Sequence, residues 1–205
     1  RDSPQEMLFE SRFKTLRNGE KAMLFNSTDT GIIATHFDWM EQYGIDCAAV
    51  QRFYGYAKDN YSVEFRYLKV IMQEAERHDR LFYMMYDMSG AGSTPTAQML
   101  SRIQNDFVNN IEKQGLVESE AYAHADGKPV VCLWGLSSVE AGQRYPSADA
   151  AKALIDWFHG RGYYVIIGTP DNGFSTVGGA YGDVYASADM ISPWYVGRYN
   201  MSGVG

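Results

Sequence analysis

Unbroken apolar runs alternate along the chain with segments of helical period. The runs begin near residues 22, 46, 81, 129, 163 and 189. An apolar run without polar alternation indicates a strand buried on both faces, so the pattern favours parallel strands. The segments between them repeat apolar residues at helical spacing, as in Leu100, Ile103, Phe107 and Ile111. This alternation predicts right-handed crossovers and a parallel α/β sheet.

Residues that start and end helices stand at the edges of the periodic segments. Small polar side chains cap a first turn, and glycine ends a helix without strain. The predicted starts are Ser27–Thr30, Ser62, Thr94-Pro95 and Ser147, and the predicted ends are Gly44, Gly115 and either Gly160 or Gly162.

The strand count leaves two architectures open. Six strands suit an open doubly wound sheet, or most of an eight-stranded barrel, which typically needs about 250 residues. No Pro-rich, Ser-rich or charged linker divides the chain. We therefore expect one domain over residues 1–205.

Composition narrows the classes of partner. The formal net charge is -7, which disfavours nucleic acid because binding to phosphates needs a basic face. No apolar run approaches the roughly 18–20 residues of a membrane span. Cys47 and Cys132 lie inside predicted strands, where buried free thiols are the expected state.

Polar and aromatic residues recur where the apolar runs end. A parallel α/β sheet places the carboxyl ends of its strands on one rim, and such folds bind ligands there. The predicted rim residues are Asn26, Gln51, Arg52, Phe53, Asp87, Trp134, Asp171 and Trp194.

Two of these rim residues are carboxylates, Asp87 and Asp171. Glycoside hydrolysis uses a carboxyl pair, one donating a proton and one acting as nucleophile or base, about 5 Å or about 6.5–9.5 Å apart. We predict these two residues as the catalytic candidates. The alternative is a turn, a cap or a hydrogen-bond acceptor for substrate.

The other rim residues suit binding. The indoles of Trp134 and Trp194 are predicted to stack on sugar rings, with packing under a loop as the alternative. Gln51, Arg52 and Phe53 suit a ligand with hydroxyls, although a buried Arg that ties strand ends together is an equal alternative.

Other chemistries find weaker support. The loop Ser89–Thr94 lies between a strand and a helix start, where backbone N–H groups bind phosphate, but it lacks the third glycine of the dinucleotide motif. The four histidines are scattered, and no metal-binding or Gly-x-Ser-x-Gly motif is present. We expect no metal and no cofactor.

Four ordered blocks resemble the glycoside hydrolases of the family 71/99-like group. The first runs from His36-Phe37-Asp38-Trp39-Met40 through Tyr43–Asp46 to Val50–Phe53, and the second is Tyr86–Gly90. The third runs from Asp126–Val131 to Leu133–Gly135, and the fourth is Ile191–Arg198. The group includes endo-α-mannanases, α-1,3-glucanases and bacterial proteins described as xylosidase/arabinosidase.

The resemblance implies a (β/α)8 barrel that binds an oligo- or polysaccharide at its carboxyl rim. It also implies a first strand before Arg1, one or two strands after Gly205, and export of the protein. We expect the unpaired edges of such a partial barrel to self-associate. Nothing in the chain matches the acidic pair of the endo-mannosidase branch. The alternatives are a non-catalytic carbohydrate-binding barrel and an open-sheet phosphate- or nucleotide-binding protein.

Overall fold

The computed structural model describes residues 8–57, 66–91, 94–136, 146–170 and 180–194. Short 3-10 turns follow the third strand and the third helix, at Tyr54–Tyr56 and Glu112–Gln114. In chain order the strands and helices are β1 (Leu8–Glu10), β2 (Met23–Phe25), α1 (Thr30–Tyr43), β3 (Cys47–Phe53), α2 (Arg66–Arg77), β4 (Leu81–Asp87), α3 (Thr96–Asn110), β5 (His124–Ala125), β6 (Lys128–Trp134), α4 (Ala148–Gly160), β7 (Tyr164–Pro170), α5 (Ala180–Ala186) and β8 (Met190–Trp194).

The predicted parallel α/β sheet is confirmed for five strands. They lie side by side in the order β3-β4-β6-β7-β8, and every neighbouring pair is parallel. Among the described residues the sheet has fewer than eight strands and does not close into a barrel.

The apolar run near residue 22 is the exception. It forms β2, which pairs antiparallel with β1, and its three residues are exposed. The prediction of six parallel buried strands is therefore wrong at this run. A run this short carries no periodicity that separates a buried strand from an exposed hairpin strand.

A second hairpin was not predicted. β5 pairs antiparallel with β6 across Asp126 and Gly127, whose φ angles are 49° and 71°. Two successive residues with positive φ make the tight turn that matches the twist of paired strands, and Asp-Gly is a preferred sequence for it.

Most described helix ends follow the predicted signals. The Asp29 carboxylate caps α1, Gly44 ends it in the left-handed conformation, and the Ser147 hydroxyl caps α4. At α3 the expectation is wrong, because Pro95 rather than Thr94 occupies the cap position and no side chain bonds there. Ser62 lies outside the described residues.

The two faces of the sheet have different neighbours. On one face Met84, Tyr86, Leu133 and Ile167 are buried in a cluster that includes residues of all five helices. We call this the helix face. The opposite face carries a smaller apolar cluster, and the β5 hairpin contributes to it. We call it the cavity face; it presents Ala49, Gln51, Tyr83, Met85, Cys132, Trp134, Gly168 and Ser192.

A buried ion pair joins the helix face to α3. Arg52 donates from Nε and Nη2 to both Asp106 oxygens at 2.7 Å, and both residues are buried. Tyr86 donates its hydroxyl to the same carboxylate at 2.6 Å, and Asn110 donates its side-chain amide at 2.9 Å. Burial alone would lower the pKa of Arg52, but the hydrogen bonds and charge of Asp106 raise it. The Arg52 guanidinium is therefore charged, and the contacts at Asp106 connect β3, β4 and α3.

No described helix combines the length and apolar character needed to cross a lipid bilayer.

We predict that Asp106→Asn destabilises the protein by about 3–5 kcal/mol, since it leaves the Arg52 charge buried without its counter-charge. The free energy of unfolding in urea measures this loss. Asp156→Asn is the control, because Asp156 pairs with Lys152 at the exposed surface of α4 and such pairs contribute below about 1 kcal/mol. Equal losses in the two variants would contradict a structural role for the buried pair.

Candidate functional site

Two predicted rim residues meet at the carboxyl ends of β3 and β4. Gln51 Nε2 donates to Asp87 Oδ2 at 2.8 Å. Gln51 lies opposite Met85 in the parallel register, and Phe53 lies opposite Asp87. Since side chains alternate between faces along a strand, all four lie on the cavity face. The contact therefore crosses diagonally between the strands.

The Asp87 carboxylate is held on both sides. Its Oδ1 accepts from the backbone N–H of Ser89 at 2.9 Å, while Oδ2 accepts from Gln51. The residue is only 4% exposed, whereas Gln51 is exposed. The contact fixes the direction of the Gln51 amide, with Nε2 facing the carboxylate. Gln51 is therefore the member of the pair that faces solvent.

Trp134 lies across a glycine of the neighbouring strand. Asp87, Trp134 and Gly168 are aligned in the registers of β4, β6 and β7. A Cβ placed on Gly168 would stand 2.4 Å from Cε3 of the Trp134 ring and 3.3 Å from its Cα. The indole thus packs directly on the Gly168 backbone. Only glycine leaves room for the ring in that position.

A cavity of about 240 Å³ opens on the cavity face. Its walls carry no charged side chain among the described residues. Burial raises the pKa of Tyr83 to about 12 and that of Cys132 to about 12, so both are neutral at neutral pH. The cavity is lined by Ala49, Gln51, Tyr83, Met85, Cys132, Trp134, Gly168, Ser192 and Pro193.

A second, larger cavity of about 450 Å³ shares one wall with the first. Gln51 borders both cavities. The second cavity lies between the loop before α1, the end of β3 and the first turns of α2. Its described lining residues are Ser27, Thr28, Gln51, Arg52, Phe53, Tyr67 and Ile71.

The structure thus brings Gln51, Phe53, Asp87 and Trp134 together at the rim. Arg52 borders the larger cavity, but its guanidinium is committed to Asp106, which is the tying role given above as the alternative.

Three other predicted residues lie elsewhere or outside the described set. The Asn26 side chain accepts from the backbone N–H and the hydroxyl of Thr28 and so shapes the loop before α1. Asp171 lies outside the described residues, as does the side chain of Trp194. Their predicted roles stay predictions.

Sequence reasoning missed several lining residues. Tyr83 and Met85 could have been predicted, because alternate side chains of a strand share a face and these two precede Asp87 by four and two residues in β4. Tyr67 and Ile71 have no such signal, because apolar residues on a helix normally indicate packing against the core.

The described part of the Ser89–Thr94 loop uses most of its N–H groups internally. Ser89 donates to Asp87, Ala91 to the Met88 carbonyl and Thr94 to the Ala91 carbonyl. These donors are therefore not directed at a phosphate. Among the described residues no group of three or more His, Cys, Asp or Glu is arranged to hold a metal ion.

Comparisons with known proteins identify no family. No protein-family model and no curated protein matches the sequence. Among solved structures, an endo-α-mannosidase of glycoside hydrolase family 99 from Bacteroides thetaiotaomicron is similar over 82% of this chain and 67% of its own, at 12% identity and a TM-score of 0.42.

Two further solved structures show a similar degree of likeness. The catalytic domain of β-amylase from Paenibacillus polymyxa is similar over 83% of this chain and 40% of its own, at 8% identity and a TM-score of 0.36. A protein described as SacUVDE is similar over 88% and 59%, at 16% identity and a TM-score of 0.36. Likeness at this level assigns neither family nor activity.

We predict that Gly168→Ala displaces the Trp134 ring, because the new methyl group would stand only 2.4 Å from its Cε3 atom. Overpacking of this kind costs about 1–3 kcal/mol. Urea unfolding measures the cost, and near-ultraviolet circular dichroism reports the change in the indole environment. Gly160→Ala is the matched control, since a Cβ there meets no atom within 4 Å. Identical spectra and stabilities for the two variants would show that the ring does not rest on Gly168.

Proposed function

We propose that this protein binds an oligosaccharide on the cavity face and hydrolyses its glycosidic bonds. The observation that carries the proposal is the Gln51–Asp87 hydrogen bond beside the Trp134 ring at the carboxyl ends of parallel strands. We also propose that the sheet is part of a (β/α)8 barrel. In support, all five described helices contribute to one face of the sheet, whereas a doubly wound sheet carries helices on both faces.

The chemistry of the smaller cavity suits a neutral ligand with hydroxyl groups. A flat indole packs against the C–H face of a sugar ring, and a fixed amide supplies directional hydrogen bonds to its hydroxyls. The described walls carry no charge with which to bind a phosphate or a cation. These features favour a carbohydrate over a nucleotide.

Hydrolysis requires two carboxyl groups on opposite sides of the scissile bond. Asp87 is one candidate, and the proposed partner is Asp171, which follows β7 as Asp87 ends β4. In this mechanism one carboxyl protonates the leaving oxygen while the other acts as nucleophile or activates water. The Gln51 amide holds the Asp87 carboxylate in place.

One observation favours a non-catalytic carbohydrate-binding protein as the second candidate. Both Asp87 oxygens already accept hydrogen bonds, and the residue is almost completely buried. In that case Asp87 serves to orient Gln51, and Gln51 contacts the sugar. Export of the protein and self-association through the edge strands β3 and β8 stay predictions in both cases.

We predict that Trp134→Ala weakens glycan binding by about 1–3 kcal/mol, the value of burying a large apolar side chain. Calorimetric titration with linear gluco-, manno- and xylo-oligosaccharides measures the affinity. Trp39→Ala is the control, because Trp39 is a partly exposed indole on α1 that borders neither cavity. If no glycan binds at millimolar concentration, the carbohydrate assignment fails.

We predict that Asp87→Asn lowers the release of reducing ends by about 10²–10⁴-fold while changing affinity far less, because proton transfer contributes a factor of that size. Asp156→Asn, on the exposed side of α4, is the control and should keep the parent rate. Cleavage by Asp87→Asn at the parent rate would exclude Asp87 as one of the two catalytic carboxyl groups. A parent protein that binds glycans without cleaving them would support the non-catalytic candidate.

A further inference from the structure

We propose that the larger cavity is a second sugar subsite, so that the bound chain straddles Gln51 with one sugar at Trp134 and its neighbour between Phe53 and Tyr67. The inference rests on the proposed function and adds where the glycan lies. It assigns a binding role to Ser27, Thr28, Tyr67 and Ile71.

The two cavities differ in volume. Ligand sites typically enclose about 300–1,000 Å³. The cavity beside Trp134, at about 240 Å³, falls below this range. The cavity beside Phe53, at about 450 Å³, falls within it. A ligand that uses the Gln51–Asp87 pair therefore has most of its available space on the side away from Trp134.

The two cavities meet at Gln51. Gln51 borders both of them, and its amide is fixed by Asp87 at their shared edge. Phe53 lies two residues further along β3, on the same face, and is 44% exposed. A ligand that spans both cavities must therefore pass over Gln51. This arrangement suits a linear chain of sugar units better than one compact molecule.

The lining of the larger cavity supports a neutral sugar in the same way as that of the smaller one. It offers the rings of Phe53 and Tyr67 and the aliphatic side chain of Ile71, together with the hydroxyl residues Ser27 and Thr28. Aromatic rings suit the C–H surface of a sugar, and hydroxyl groups can hydrogen-bond to its own hydroxyls.

Two positive features beside the described lining residues are already satisfied within the protein. The first-turn N–H groups of Gly31 and Ile32 donate to the Asp29 carboxylate, which caps α1. The guanidinium of Arg52 is bound bidentately by Asp106. An anionic ligand would therefore find no uncompensated charge among the described lining residues, so the occupant is neutral.

The test compares the affinities of the full-length protein for saccharides of one, two and three units of the same sugar. Monosaccharide, disaccharide and trisaccharide of the gluco, manno and xylo series are titrated calorimetrically into the parent protein, Ser27→Trp, Tyr67→Ala and the control Trp39→Ala. Ser27 is an exposed loop residue, so its replacement fills the cavity without disturbing the core. It keeps the test decisive if Tyr67→Ala fails to fold.

In the parent protein we expect affinity to rise at least about tenfold from the monosaccharide to the longer chains, which corresponds to about 1.4 kcal/mol. Ser27→Trp and Tyr67→Ala should abolish this rise, while Trp39→Ala keeps it. Equal affinity for all lengths, or an unchanged rise in Ser27→Trp, would overturn the second subsite and leave the proposed function standing. If no sugar of any length binds, the proposed function itself fails.

Discussion

The buried pairing of Arg52 with Asp106 is the contact on which the site depends. Arg52 follows Gln51 in β3, and Tyr86 precedes Asp87 in β4, so each strand residue that binds Asp106 is the chain neighbour of a residue on the cavity face. Because successive side chains point to opposite faces, the bonds to α3 on the helix face fix the strand ends that carry Gln51 and Asp87. If either Arg52 or Asp106 were removed, the charge of the other would stay buried without a counter-charge, at a large desolvation cost.

The cavity face depends on small residues as much as on polar ones. The absence of a side chain at Gly168 lets the Trp134 ring pack on the backbone, and the small side chain of Ala49 leaves space beside Gln51. Bulky side chains at these positions would fill the smaller cavity. The amino-terminal half of the same face is instead closed by the apolar cluster around Tyr164 and Ile166, to which the β5 hairpin contributes. The sheet thus has a packed half that gives stability and an open half, at the strand ends, that is available to a ligand.

The parallel sheet, and the meeting of Gln51 with Asp87, follow from sequence because they depend on local rules. Buried runs indicate parallel strands, and parallel strands bring their carboxyl ends to one rim. Asp106 was not predictable in the same way. An acidic residue beside the apolar stripe of a helix is normally solvated, and only the register between β3 and α3 reveals its partner.

The hairpin strands β1 and β5 were missed, and β2 was predicted as a buried parallel strand, for a related reason. All three are two or three residues long, too short for hydrophobic periodicity to identify them or their pairing. The larger cavity was missed because it forms between α2 and the loop before α1, which are distant in sequence. Tertiary packing, rather than any local pattern, decides whether Tyr67 lines a cavity or the core.

The central claim is that an oligosaccharide contacts the cavity face of the sheet at the smaller cavity, while the core between the sheet and the helices stays packed. Methionine-methyl NMR tests it directly, since Met85 lines the smaller cavity while Met84, its neighbour in β4, is fully buried on the helix face. Titration with a glycan that binds should shift the Met85 methyl resonance and leave that of Met84 nearly unchanged. Each resonance is assigned by substituting its methionine with Leu. A glycan that binds without shifting Met85, or that shifts both methyls equally, would contradict the account.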